Sequence, residues 1–292
     1  MIDLHLHSAY SDGTCTPAEL VIRAVDAGLH AIALTDHDTV EGNTEFLAAA
    51  RSAGIDALAG VEISAEYVNP ISQKKGDGEL HILGYFPVWN EKIEQSLDGL
   101  SEIRSNRADR NPKIVQRLND LGCDISIDEV NAYAANNVVG RPHIAALLVQ
   151  KGYAASTDQA FTRYLSSNAP AFVPKKIFTQ EKAIRIIRDA GGMPVLAHPK
   201  MLRIHDESHI RDLLGALAGH GLLGIEVYCS THQSYDAQHF LGLAEEYNFV
   251  ITGGSDFHGD NKPDIHIGTG FGNVHVPDTC IDRIRKRLQQ RN

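Results

Sequence analysis

Residues 1–39 read MIDLHLHSAYSDGTCTPAELVIRAVDAGLHAIALTDHDT, one complete strand, helix and strand. IDLHLH has the apolar spacing of a short strand. Thr16-Pro17-Ala18-Glu19 reads as a helix start, with Thr16 as N-cap, Pro17 at the first helical position and Glu19 placed to close a capping box. The helix runs through LVIRAVDA and stops at Gly28, a suitable C′ residue. HAIALTDHD then supplies a second apolar strand that ends in charge.

The same rhythm continues outward. The strand-like runs are IDLHLH, AIALTD, ALAGVE, ELHILGY, MPVLAH, GIEVYC and VITGGSD, seven in all, and most precede a helical pattern. Such alternation implies parallel pairing through right-handed crossovers, and so an α/β architecture. Nearly every run ends, or nearly ends, in a residue type that binds metal: His5 and His7, Asp36 and His37, Glu62, His81, His198, Glu226, then Asp256 and His258. In a barrel of parallel strands the C-terminal ends meet at one rim, so residues from both ends of the chain converge there.

From about Leu97 to Pro174 the rhythm breaks into a basic stretch (IRSNRADRNPKIVQRLNDLG), a segment with Asn136-Asn137, then GRPHIAALLVQKG and STDQAFTRYLSS, with helix-start signals at Pro142 and Ser156. The expected organisation is a barrel over residues 1–97 and 174–292, with a small helical insertion over 98–173 that serves as a substrate-binding cap.

Composition bounds the function. With 292 residues, 43% hydrophobic and 22% charged, the chain fits a soluble globular protein with a full core. No apolar run approaches the roughly 18 residues that cross a bilayer, and Met1 leads straight into charged strand sequence without a signal-peptide core; the expected location is the cytoplasm, away from membranes. Cys15, Cys123, Cys229 and Cys280 form no CxxC pair and read as reduced thiols. A net charge of −10 argues against coating nucleic acid through a general basic surface, although metals or local arginines can still reverse the field for phosphate. No protein partner is implied.

On a strand, His5 and His7 share a face and can bind one ion; the bland alternative is two hydrogen-bonded histidines in a polar interior, and HxH alone does not choose. TDHDT could equally be a turn followed by an N-cap, the better reading for Asp38. Glu62 and His81 lie within apolar strands, where a lone polar group is costly to bury without a partner such as a metal. His198, before a proline, could be a capped loop histidine. SDFHG is harder to dismiss, because it repeats an Asp and a His two residues apart at the other end of the chain. Six histidines with Asp12, Glu62 and Asp256 exceed the needs of one tetrahedral ion, which points to two or three ions with Glu62 bridging. Imidazole and carboxylate without thiolate suit Mn²⁺, Fe²⁺ or Zn²⁺. Clustered ions of this kind activate water and clamp the oxygens of a displacement at phosphorus, so hydrolysis is the expected reaction.

With these motifs assembled, the sequence resembles the PHP family, named for its polymerase and histidinol phosphatase members. The matching elements are DLHLHS with SDG, TDHDT, GVE, LHILGY, LAHP and SDFHG, in the family's order from Met1 to about Gly259. The resemblance implies a distorted (β/α)7 barrel and a site of two or three divalent ions, manganese first and Zn²⁺ or Fe²⁺ as alternatives. It places one ion among His5, His7, Glu62 and Asp256, a second among Glu62, His81 and His198, and a third among Asp12, His37 and His258. On its residues alone SDG is merely a good turn. A hydroxide bridging the ions would attack phosphorus, with Asp256, His258 and Glu62 in the catalytic set.

The insertion, with GRPHIAALL and TRYLSSNAPAFVP, resembles the branch that includes nucleoside 3′,5′-bisphosphate phosphatases and 5′-to-3′ exoribonucleases on short RNA. The implied activity is removal of the 3′-phosphate from a nucleoside 3′,5′-bisphosphate, giving AMP from the adenosine compound. The alternatives are digestion of short 5′-phosphorylated RNA, a histidinol-phosphate-type phosphatase, and, in a different class, a non-catalytic metal-binding module. A second substrate phosphate needs a cationic grip, for which Arg104, Arg107, Arg141, His143, Lys175 and Lys176 are candidates. Most charges in a run like IRSNRADRNPK form a solvated helix face, whereas Arg141 and His143 flank Pro142 at a helix start that favours an anion. Ser8 is a candidate hydroxyl contact to phosphate, and His232 a candidate acid for the leaving oxygen, against a plain surface histidine. Asp3, on the same strand as His5 and His7, is expected to orient a histidine ligand.

Overall fold

The structure, a computed structural model, describes residues 1–68, 75–133, 140–166, 168–174 and 177–290. The chain divides into two compact units, Met1–Gly99 with Phe178–Asn292, and Leu100–Ile177. The described strands of the first unit are β1 (Ile2–Leu6), β2 (Ala31–Leu34), β3 (Asp56–Val68), β4 (Lys75–Phe86), β5 (Phe178–Thr179), β6 (Met193–Leu196), β7 (Gly224–Cys229) and β8 (Val250–Gly254). They pair in the order β1-β2-β3-β4-β6-β7-β8, with the short β5 added to β3. A parallel bridge from Leu6 to Phe257 brings β1 to the end of β8, so seven strands form a nearly closed barrel.

The α/β barrel agrees with the sequence reading except in one strand. β4 runs antiparallel to both β3 and β6. Only residues 69–74 separate β3 from β4, too few for a crossover, and a short connection returns a strand antiparallel. Reversal still leaves His81 near the rim: it pairs with Ser64, above the stretch Ile82 to Tyr85 that pairs with β6.

The strands form where the sequence alternates, and the helices start where it is capped. Thr16 accepts from the Glu19 amide and the Glu19 carboxylate returns to the Thr16 amide, closing the expected capping box. The interior core joins Ile2, Leu4, Ala31, Ala33, Leu58, Leu83, Tyr85, Met193 and Val195 to Cys280, Ile281 and Ile284 of the helix Thr279–Gln289. Leu6, Ile32 and Leu34 instead pack outward on Leu20, Val21 and Phe46 of the flanking helices.

A register shift between Asp3 and Leu6 interrupts the pairing of β1 with β2. Ile2 and Leu4 therefore fill the interior while His5 also faces inward, which strict alternation forbids. β8 comes close at this point: a Cβ on Gly254 would lie 2.3 Å from the Cβ of His5. The second unit has its own core, in which Ile114, Leu118, Ile125, Val130, Ile144, Leu148 and Leu165 pack together. Among the described residues, no helix is long and apolar enough to cross a membrane.

Candidate metal centre

Glu62, fully buried on β3, is the hub of the rim. Its Oε2 lies 3.3 Å from His5 Nε2, 3.2 Å from His7 Nε2 and 3.1 Å from His37 Nδ1. Its Oε1 lies 3.0 Å from His81 Nδ1 and 2.9 Å from His198 Nε2. Asp256 Oδ1 approaches the Nε2 atoms of His5 and His7 at 3.5 and 3.3 Å. On the other side of His7, His258 Nε2 lies 3.2 Å from Asp12 Oδ1, and His37 Nε2 3.8 Å from Asp12 Oδ2.

Ligands bonded at about 2.0–2.2 Å to a common ion lie roughly 3.0–3.5 Å apart. In the His5, His7, Glu62 and Asp256 set each imidazole has that spacing from each carboxylate, as does the triangle of Glu62 Oε1, His81 Nδ1 and His198 Nε2, whose ring nitrogens are 3.3 Å apart. The set of His7, Asp12, His37 and His258 is looser, with Asp12 standing 3.8 Å from both His7 Nδ1 and His37 Nε2. His37 Nδ1 also lies against Glu62 Oε2, beside His81, so His37 stands between two of the sets.

Three observations test whether these residues fit divalent ions. First, His5 Nε2, both ring nitrogens of His7, His37 Nδ1 and Glu62 Oε2 are buried and make no hydrogen bond. Orphaned polar atoms are costly, and here they face one another. Second, the donors are imidazole nitrogens and carboxylate oxygens, a set suited to Mn²⁺, Fe²⁺ or Zn²⁺. Third, two of the rings hold protons where cations belong, while burial keeps His37 and His258 below their ordinary values. Burial pulls His5 down, yet Glu226 and Glu62 outweigh it and carry the ring well above its ordinary pKa. Burial opposes His7 likewise, and the Asp256 and Glu62 carboxylates beside it, at 3.3 and 3.2 Å, carry it to about 9. Burial would raise Glu62 and Asp256, but His37, His81 and His5 hold Glu62 well below its ordinary range, and Lys262 and His258 do the same for Asp256. The residues fit.

The rings are aimed by groups behind them. His5 Nδ1 donates to Glu226 Oε1 at 2.9 Å, and His258 Nδ1 to the Asp256 carbonyl at 2.8 Å, so both present Nε2 to the centre. The other oxygen of Glu226 accepts the His198 amide at 2.7 Å. That bond holds a strained residue: His198 has φ 26° and Asp256 φ 59°, left-handed conformations costing about 1–3 kcal/mol each. Asp36 accepts from the Ser8 amide, the Ser8 hydroxyl and the Ser11 hydroxyl at 2.7, 2.6 and 2.5 Å, and so fixes the loop that delivers Asp12. Gly13 closes that loop; a Cβ there would sit 2.2 Å from the His7 carbonyl oxygen.

With the geometry in place, comparison with known proteins is direct. The family profile described as PHP domain matches residues 3–167, more than half of the 292. The chain belongs to the PHP family. Among its relatives, a 5′-3′ exoribonuclease of Haemophilus influenzae is 35% identical over 258 residues, covering 88% of this chain and 89% of that one. A 3′,5′-nucleoside bisphosphate phosphatase of Chromobacterium violaceum is 34% identical over 272 residues, covering 91% and 90%. A solved structure from Bifidobacterium adolescentis, provisionally described as a metal-dependent phosphoesterase, superposes with a TM-score of 0.79 at 31% identity, covering 98% and 96%.

Within this PHP chain the structure changes three readings. Ser8 is fully buried and donates its hydroxyl proton to Asp36, so it has none for phosphate. His232 is buried rather than on the surface; its Nδ1–H donates to the Val227 carbonyl at 2.7 Å and burial lowers its pKa. Its Nε2 is then an acceptor without a partner, the wrong state for an acid on a leaving group. Asp3 orients no imidazole. The shifted register turns it toward Ser255 and Gly268, whose amides it accepts at 2.8 and 2.7 Å.

Arg141 and His143 lie in the second unit. The Arg141 guanidinium sits 5.9 and 5.7 Å from the rings of Phe161 and Phe172 and donates to the Leu165 carbonyl at 3.3 Å, while His143 Nδ1 accepts the Gly140 amide at 3.0 Å. Lys175, Lys176 and Asn136-Asn137 lie outside the described residues, as do the side chains of Arg104 and Arg107. Two groups went unassigned in the sequence. Glu226 stands among the metal-binding residue types at strand ends but gains no role from the sequence, and Lys262, four residues beyond His258, carries no signal.

Proposed function

We propose that this protein is a metal-dependent phosphomonoesterase that removes the 3′-phosphate from nucleoside 3′,5′-bisphosphates, with Mn²⁺ as the ion. The observation that carries the reading is Glu62, which offers one carboxylate oxygen to each of two donor sets of ligand-like spacing. Divalent ions held there supply Lewis acidity, activating water and neutralising phosphoryl oxygens. The chain does the positioning. Glu226 and the Asp256 carbonyl fix the His5 and His258 tautomers, Asp36 fixes the Asp12 loop, and dry walls of β1, β3 and β8 keep the carboxylates from bulk water.

The named activity of the Chromobacterium relative supports the monoester substrate, as does a net charge of −10, which disfavours a long nucleic-acid track. A second reading, 5′-to-3′ digestion of short RNA, is favoured by the Haemophilus relative. Manganese-loaded protein given adenosine 3′,5′-bisphosphate, 5′-phosphorylated short RNA and histidinol phosphate separates them. The bisphosphate is expected to have the highest kcat/KM; a preference for RNA replaces the first reading with the second.

A further inference from the structure

Four residues beyond His258, the chain makes a short turn at Gly259–Asn261 and returns Lys262 to the site. The Lys262 ammonium lies 2.8 Å from Asp256 Oδ2, while Asp256 Oδ1 faces the Nε2 atoms of His5 and His7. Among the described residues, Lys262 is the one Lys or Arg that pairs with any of Asp12, Glu62 and Asp256. Its turn is braced: Asn261 Nδ2 donates to the Asp12 carbonyl at 2.7 Å, and the Asp260 amide to Thr14 Oγ1 at 2.9 Å. The side chain is 39% exposed, and an ammonium has three N–H bonds, of which Asp256 takes one.

A cation reachable from solvent thus stands one carboxylate away from the candidate ions, held on the loops that carry the ligands. A phosphomonoester presents three non-bridging oxygens and nearly two negative charges at neutral pH, whereas a diester presents two oxygens and one charge. The extra oxygen and charge are what an ammonium beside the ions can recognise, and a point charge on a flexible stem suits an oxygen of unfixed direction.

We propose that Lys262 grips the third non-bridging oxygen of a terminal phosphoryl group, making this site select phosphomonoesters over phosphodiesters. The inference rests on the phosphoesterase reading above. It concerns the group being hydrolysed, not a second phosphate elsewhere on the substrate.

The test uses full-length, manganese-loaded protein with Lys262→Met and Lys262→Arg. Metal content is measured by mass spectrometry, binding of inorganic phosphate by calorimetry, and turnover with p-nitrophenyl phosphate and bis-p-nitrophenyl phosphate, which share a leaving group. Loss of one charge-assisted contact predicts phosphate binding about 10- to 100-fold weaker in Lys262→Met. Metal content stays unchanged, the monoester KM rises in parallel, and kcat/KM for the diester moves by less than about threefold, within the scatter of a neutral surface change. Lys262→Arg restores most of the loss. Equal losses on both esters together with lost metal would show that Lys262 only positions Asp256, and wild-type phosphate affinity in Lys262→Met would overturn the inference outright. Wild-type protein that hydrolyses neither these esters nor adenosine 3′,5′-bisphosphate overturns the phosphoesterase reading, and the inference with it.

Discussion

Two sets of buried acids crowd the same end of the barrel. Asp3 accepts from the His5, Ser255 and Gly268 amides and the Ser255 hydroxyl, Asp36 from Ser8 and Ser11, and Asp38 from the Ser64 amide and hydroxyl at 2.8 and 3.0 Å. Glu62 and Asp256 face imidazoles and an ammonium instead. Burial is nearly equal in the two sets, but its electrostatic result is opposite. Burial lifts Asp3 and Asp36 above their ordinary values despite their hydrogen bonds, while the cationic neighbours of Glu62 and Asp256 hold those two well below. Depth therefore does not mark a functional acid in this protein; the chemistry of its neighbours does.

The comparison can be broken by exchanging roles. The largest effect is expected for Glu62→Gln, which removes the shared ligand: kcat/KM should fall on the order of 10³-fold or more, with metal content reduced and the melting temperature of the metal-free protein little changed. Retained turnover would place Glu62 with the structural acids. Asp3→Ala should do the reverse, lowering unfolding free energy in urea by about 3 kcal/mol because several buried donors lose their acceptor. The folded fraction should keep its metal, and metal loss without destabilisation would dissolve the distinction.

Glu226→Gln sharpens it further, since this acid serves both sets, holding the His5 ring and the His198 backbone. Metal affinity should drop about 10- to 100-fold in calorimetry, as for other residues behind a ligand. The smallest effect is one of pH. His7 with a pKa of about 9 is protonated at neutrality and must shed that proton to bind an ion. Metal affinity should therefore rise up to about tenfold per pH unit from pH 6.5 and level off near 9. A flat profile would show that His7 is already neutral.

The βαβ rhythm, the capping box at Thr16 and the polar strand ends were legible because each rests on local spacing. The inward candidates His5, His7, Glu62, His81, His198 and Asp256 were visible for the same reason: polar residues in apolar strands need partners. What local spacing cannot carry is pairing. The reversal of β4 and the register shift at Asp3 depend on which strand lies alongside, and period-2 alternation is identical in either direction. Lys262 was invisible because a lysine in a Gly- and Pro-containing loop looks like any solvated charge. His232 misled because its loop suggests exposure, and only tertiary packing against Phe240, with ring centroids 5.0 Å apart, shows otherwise.

The clamp of Asp3 on Ser255 and Gly268 also orders events in time. It joins residues 252 and 265 positions apart, and closing loops of that length is entropically slow compared with forming the local βα units. His5 and His7 are synthesised first, yet their partners Asp256 and His258 arrive only with the last strand. During translation His5 and His7 lack Asp256 and His258, so the two sets that include those residues are complete only once the last strand is made, whereas Glu62, His81 and His198 come earlier. Completion of these two sets is in this way tied to completion of the barrel, by chain order alone.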